Sequence, residues 1–106
     1  IKIPEELIAR YRGKIINIHP ALLPAYGGKG MYGNRVHEAV IAAGEKVSGI
    51  TIHLVDEKYD SGKILFQAEC PVMDNDTPDT LAERIHSLEY THFPRIIEEY
   101  IKNNLQ

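Results

Sequence analysis

The chain has no tryptophan, two phenylalanines and one cysteine among its 106 residues. A single cysteine excludes an internal disulfide framework, and Cys70 reads instead as a small buried apolar residue in a reducing, cytoplasmic setting. No apolar run approaches the ~20 residues that cross a bilayer, and no signal-peptide pattern stands out. Positive charge is not in excess: 12 Lys and Arg face 15 Asp and Glu, a net charge of −3, which argues against a nucleic-acid-binding surface. Internal repeats, low-complexity tracts and interdomain linkers are also missing, so residues 1–106 read as one domain or a piece of one. Five histidines are present, His19, His37, His53, His86 and His92. None forms an H-E-x-x-H motif or an i, i+4 pair, and Cys70 has no neighbouring thiol, so no metal centre is expected.

What is present is the pattern of an α/β protein. Pro4 to Tyr11 predict a short helix with Glu5 and Glu6 at its positive end. Lys14 to His19 alternate, Ile16 and Ile18 on one face and Ile15, Asn17 and His19 on the other. Val36, Ala39, Val40 and Ala43 follow helical spacing, with Asn34 as the expected cap and Gly44 as the stop. Ile50–Val55 and Lys63–Val72 read as strands joined in an antiparallel hairpin. Thr77-Pro78 opens a final helix that should kink or restart at Pro94. The expected architecture is a mixed sheet flanked by helices, ending in a long kinked helix. His37 and His86 are expected on helix surfaces.

The stretch Gly28–Gly33, GKGMYG, fits the spacing of a dinucleotide-binding fingerprint. That fingerprint needs a strand running straight into its first glycine. Here the strand ends near His19, and a loop holding Pro20 and Pro24 intervenes. The glycines are therefore read as the turns of a long loop.

The chemistry sits upstream, in INIHPALLPAYGG. Asn17 and His19 lie two apart on one strand face, about 6–7 Å from each other, at the strand end where open α/β sheets bind ligands. A primary amide donates hydrogen bonds without titrating, and an imidazole moves protons near neutral pH. The pair suits a reaction in which a carbonyl oxygen becomes an oxyanion while a proton is transferred. Asp60, in the turn of the predicted hairpin, is the candidate acid to favour the charged form of His19 and hold a water. His53 shares a strand face with Val55 and is placed near the same pocket.

Three stretches in order, Asn17–Pro24, Gly49–Val55 and Asp60–Gln67, resemble the folate-dependent formyltransferases, most closely the branch that serves purine synthesis. The likeness covers nearly the whole chain and implies the formyltransferase fold. It further implies that 10-formyltetrahydrofolate, as a co-substrate and with no metal, gives its formyl group to the amine of 5-phosphoribosylglycinamide. By position, Asn17 would stabilise the oxyanion, His19 would carry the proton and Asp60 would tune His19. His53 would support them, and Pro20 and Glu89 would contact the amine substrate. Ile15, Val55 and Tyr59 would line the folate pocket. Small molecules are the expected partners, with no nucleic acid or membrane, and a homodimer is allowed. Related branches carry an R-G-A-P-type segment after the loop that this chain lacks. The alternatives are a deformylase, which passes the formyl group to water, and an inactive folate-binding fragment. The loop is longer than in many family members, and the family's amino-terminal nucleotide-binding half is absent, so the chain corresponds to the carboxy-terminal catalytic and folate-facing half.

Overall fold

Strict alternation of apolar residues gives this protein a sheet with one dry side. The computed structural model describes residues 4–11, 13–55 and 62–105. Along the chain run α1 (Glu5–Arg10), β1 (Ile16–His19), α2 (Asn34–Ala42), β2 (Val47–Leu54), β3 (Ile64–Pro71) and α3 (Pro78–Asn104). The strands lie in the order β1-β2-β3. Ile16 pairs with Leu54, Asn17 with His53, Ile18 with Ile52 and His19 with Thr51. On the other side of β2, Ile52 faces Phe66, Ile50 faces Ala68 and Ser48 faces Cys70.

With a side-chain period of two, this register collects Ile16, Ile18, Ile50, Ile52, Phe66, Ala68 and Cys70 on one face. α3 packs there and α2 packs on α3. Ile50, Ile52, Val36, Val40, Leu81, Ile85 and Ile96 meet in one buried cluster. Burial of this kind stabilises each large aliphatic side chain by roughly 1.5–3 kcal/mol.

Both strand pairs are antiparallel, so the described sheet is not the mixed sheet expected from sequence. Parallel pairing needs a crossover between neighbouring strands, and the short β2–β3 link has no room for one. β2 also starts earlier than predicted, at Val47, because Lys46 closes the ladder from its carbonyl to Val72 N–H at 2.9 Å.

The helix boundaries follow local chemistry with two adjustments. Gly33, not Asn34, is the N-cap of α2; the Asn34 amide instead donates to Asp79 at 3.0 Å and ties α2 to the start of α3. The α3 start is as predicted: Thr77 accepts from Thr80 N–H in a capping box and Pro78 follows. α3 then runs through Pro94 as one helix instead of restarting. Pro94 leaves the Tyr90 carbonyl without its N–H partner, but Tyr90 is 82% exposed, so water can take that role.

A polar knot secures the turn before α3. Asp76 accepts a two-pronged pair from Arg84 at 2.7 and 3.1 Å, the Met73 N–H at 2.7 Å and the Thr80 hydroxyl at 2.8 Å. The Arg84 hydrogen bonds are the main reason that the Asp76 carboxyl sits far below the usual carboxylate range.

Candidate functional site

The opposite face of the same strands carries Asn17, His19, Thr51, His53 and Gln67. Among these, Thr51 is fully buried and His19 and His53 nearly so. Buried polar groups persist only when bonded, and Thr51 meets that demand completely. Its hydroxyl donates to Ala21 O at 2.7 Å and accepts from Leu23 N–H and from the Gln67 amide, both at 2.9 Å. The Gln67 amide also donates to Leu23 O at 3.0 Å. These bonds lash the start of the loop after β1 onto the sheet. At Gly49 on this face a Cβ would run into the Ala68 carbonyl and the Leu22 side chain, so only glycine admits the close approach.

The lashed loop returns to His19. Tyr26 has φ +58°, a left-handed conformation that costs residues with a β-carbon energy and persists where the surroundings enforce it. Two contacts enforce it here. The Tyr26 phenol donates to Glu45 at 2.8 Å, and that bond raises the phenol above its ordinary pKa. The Tyr26 carbonyl lies 2.7 Å from His19 Nε2. A carbonyl only accepts, so Nε2 carries a hydrogen.

His53 is oriented in a similar way. Its Nδ1 donates to Leu54 O at 2.9 Å, which leaves the Nε2 lone pair toward the Asn17 amide nitrogen at 3.4 Å. The contact is long, but it fixes which end of the carboxamide is NH2. One amide hydrogen faces His53; the other remains for a ligand. The sheet register slips between Ile52 and His53, leaving Leu65 as the extra residue. Bulges of this kind re-aim side chains beside functional sites.

The structure therefore brings Asn17, His19 and His53 together on one polar face, with Pro20 directly after His19. Ile15 and Val55 meet across the β1–β2 pair, Val55 N–H to Ile15 O at 2.9 Å. Glu89 lies on α3 and its carboxylate holds His86 Nδ1 at 2.8 Å. Tyr59 and Asp60 lie outside the described residues. Thr51, Gln67 and Tyr26 had no role in the sequence reading. Alternation placed Thr51 and Gln67 on this face, but nothing local marks a hydroxyl as a three-way junction.

One expectation is overturned. His37 is not on a helix surface: it is 3% exposed and is one of the buried residues of α2, with Val36 and Val40. Its Nδ1 is buried and has no hydrogen-bond partner among the described residues. Leaving such a nitrogen unpaired costs about 1–3 kcal/mol. Burial, and then the neighbouring His86, holds its pKa below the ordinary 6.5, with His19 adding to the effect and Glu89 opposing it. His86 is on the surface as expected. Cys70 is buried and free, and burial pushes its thiol up, so it stays protonated and is no nucleophile.

Residues 2–97 match the family described as formyl transferase. A chloroplastic phosphoribosylglycinamide formyltransferase of Vigna unguiculata is 53% identical over 96 residues, covering 91% of this chain and 31% of that protein. The crystal structure of phosphoribosylglycinamide formyltransferase from Bacillus halodurans superposes with a TM-score of 0.83 at 36% identity, over 93% of this chain and 48% of that one. A formyltetrahydrofolate deformylase from Pseudomonas syringae superposes with a TM-score of 0.85 over 97% of this chain and 33% of that one, at 24% identity, a likeness of fold alone. The chain spans about a third to a half of the length of the phosphoribosylglycinamide formyltransferases of Vigna unguiculata, Arabidopsis thaliana and Bacillus subtilis that it matches, and under a tenth of the trifunctional purine biosynthetic proteins it also matches.

Proposed function

The chain belongs to the formyl transferase family, and we propose that it supplies the catalytic and folate-facing half of an enzyme that moves a formyl group from 10-formyltetrahydrofolate to the amine of 5-phosphoribosylglycinamide. The observation that carries this reading is the oriented polar trio: an amide and an imidazole side by side on one strand, each fixed by a partner, on the reverse of a dry sheet face. The assignment to the amine acceptor rests on relatives that carry that activity in their names at 53% and 36% identity. The deformylase likeness is weaker in sequence.

In this reading the amine nitrogen attacks the formyl carbon, and the carbonyl electron pair moves onto oxygen. Asn17 meets that oxyanion with the amide hydrogen that His53 does not face. His53 holds the amide only while neutral, because a protonated Nε2 would present a hydrogen to a hydrogen. His19 takes the proton released by the attacking amine at Nδ1 and gives it to the folate nitrogen as the carbon–nitrogen bond breaks. Tyr26 O, 2.7 Å from Nε2, holds the His19 ring in one orientation during this exchange. Asp60 sets the charge of His19, Glu89 and Pro20 contact the amine substrate, and Ile15, Val55 and Tyr59 line the folate side. A preceding segment supplies the nucleotide phosphate site. Dimerisation and a cytoplasmic location belong to the same proposal.

The test joins this chain to the amino-terminal part of the Bacillus halodurans enzyme and follows folate product with and without the amine. Product that forms only with the amine supports transfer. Product without it replaces this reading with hydrolysis, and no product under either condition refutes both.

A further inference from the structure

Among the described residues, positive φ belongs to glycine with one exception, Tyr26 at +58°. Glycine would hold that φ without strain, and the same loop uses it at Gly28, Gly30 and Gly33. Stability alone gives no reason for a tyrosine there, and strain kept against the local preference points to a task. The Tyr26 side chain is held along its length. Its ring packs against the buried cluster, and its phenol donates to Glu45 at 2.8 Å. Its carbonyl lies 2.7 Å from His19 Nε2. Glu45 is in turn a fixed post in the link from α2 to β2. Its N–H donates to Val40 O at 3.3 Å, and the next carbonyl, that of Lys46, takes the Val72 N–H at 2.9 Å. An exposed carboxylate on a braced turn therefore connects, through one tyrosine, to the imidazole that carries the proton in the proposed chemistry.

We propose that Glu45 is a positioning residue for His19, acting through Tyr26: the carboxylate anchors the phenol, the anchored ring keeps the backbone left-handed, and that backbone presents its carbonyl to His19 Nε2. This rests on the formyl-transfer reading above. Glycine at position 26 would relieve the strain and lose the lever, and phenylalanine would keep the ring and lose the anchor. With the phenol released, the loop after Leu23 relaxes toward unstrained φ and its carbonyl withdraws from Nε2. The His19 ring then samples orientations that do not serve proton transfer, and catalysis is sensitive to such small misplacements. Neither Tyr26 nor Glu45 has a substrate contact in the proposed chemistry, so the effect belongs to turnover and not to binding.

The experiment uses this chain joined to the amino-terminal part it is proposed to work with, carrying Tyr26→Phe, Glu45→Ala, Glu45→Gln or the pair Tyr26→Phe with Glu45→Ala. Tyr26→Phe and Glu45→Ala are each expected to lower kcat about threefold to tenfold, the scale of one hydrogen bond. Both KM values should stay within about twofold, since no substrate contact is removed. The pair should lose no more than either single variant, because both break the same link. Glu45→Gln keeps an oxygen that accepts from the phenol and should restore most of the loss. Unchanged kcat in Tyr26→Phe, additive losses in the pair, or a loss that glutamine does not rescue would overturn the proposal. A second measurement needs no turnover. In NMR spectra of ring-labelled histidine, the Nε2 hydrogen of His19 should exchange faster with water in Tyr26→Phe and in Glu45→Ala than in the parent. An unmoved His19 signal in both variants would overturn the link even if formyl transfer is confirmed. If the signal responds but no formyl transfer occurs, it is the functional reading that fails.

Discussion

The two faces of the three-stranded sheet are built from the same strands and obey opposite rules. On the α3 side, Ile50 and Ile52 are fully buried among Leu81, Ile85 and Ile96, and no polar bond is needed to hold them. On the reverse side, Thr51 is buried just as deeply, yet its place depends on three hydrogen bonds to Ala21, Leu23 and Gln67. A dry face is stabilised in proportion to area and tolerates modest reshaping. A buried polar face contributes little net energy when satisfied and is costly when one partner is lost. It is kept where its groups have work to do. That contrast explains why the candidate chemistry, Asn17, His19 and His53, lies on the reverse face only.

The largest effect expected from breaking this contrast is on the dry face. Ile52→Ala should cost about 2–5 kcal/mol in a denaturant titration while leaving the chemistry of surviving folded molecules intact. On the reverse face the expectation inverts. Asn17 is exposed on an edge strand, so Asn17→Ala should leave the unfolding midpoint nearly unchanged while turnover of the joined enzyme drops ~10²–10³-fold; retained turnover would remove Asn17 from the mechanism. Thr51→Val falls between the two. It preserves shape but strands the Leu23 N–H and the Ala21 carbonyl, a cost of roughly 1–3 kcal/mol. It should also loosen the loop that brings Tyr26 to His19, which would show as faster amide exchange at Leu23.

Acid sharpens the comparison with smaller, graded effects. His37 has a folded pKa below its ordinary 6.5. Its contribution is therefore intact above about pH 6.5 and is lost as pH falls below that value, where the unfolded chain takes up the proton first. His37→Leu should flatten that part of the stability profile. Asp76, also depressed in the fold, acts in a lower window. Its contribution is present above its unfolded pKa of 3.8 and drains away as pH falls through and below it. Asp76→Asn should flatten that second limb only. Stability measured by urea unfolding from pH 8 to pH 3 separates the two.

Much of this arrangement could be read before any coordinates. The alternation in Lys14–His19 put Asn17 and His19 on one face, the Thr77-Pro78 pair marked the start of α3, and the link after Val55 implied an antiparallel hairpin. These signals are local: a period of two, a capping hydroxyl, a ring without an N–H. The parallel component expected in the sheet was not found because it came from the look of doubly apolar strands, which any strand covered on both sides produces. The restart at Pro94 did not occur because α3 buries residues on both sides of the proline, Ile85 before it and Ile96 after it, and that packing holds one continuous helix.

By itself the sequence determined the strands, the start of α3, the two-faced character of the sheet and the family motifs, because each depends on residues within a few positions of one another. Only the tertiary structure decided that His37 is buried, that the Tyr26 carbonyl reaches His19, and that Thr51 joins three segments. His37 borders the apolar stripe of α2, and whether a border residue is covered depends on where another helix, more than forty positions away, comes to rest. Side-chain period fixes a direction in space; it does not fix what lies there.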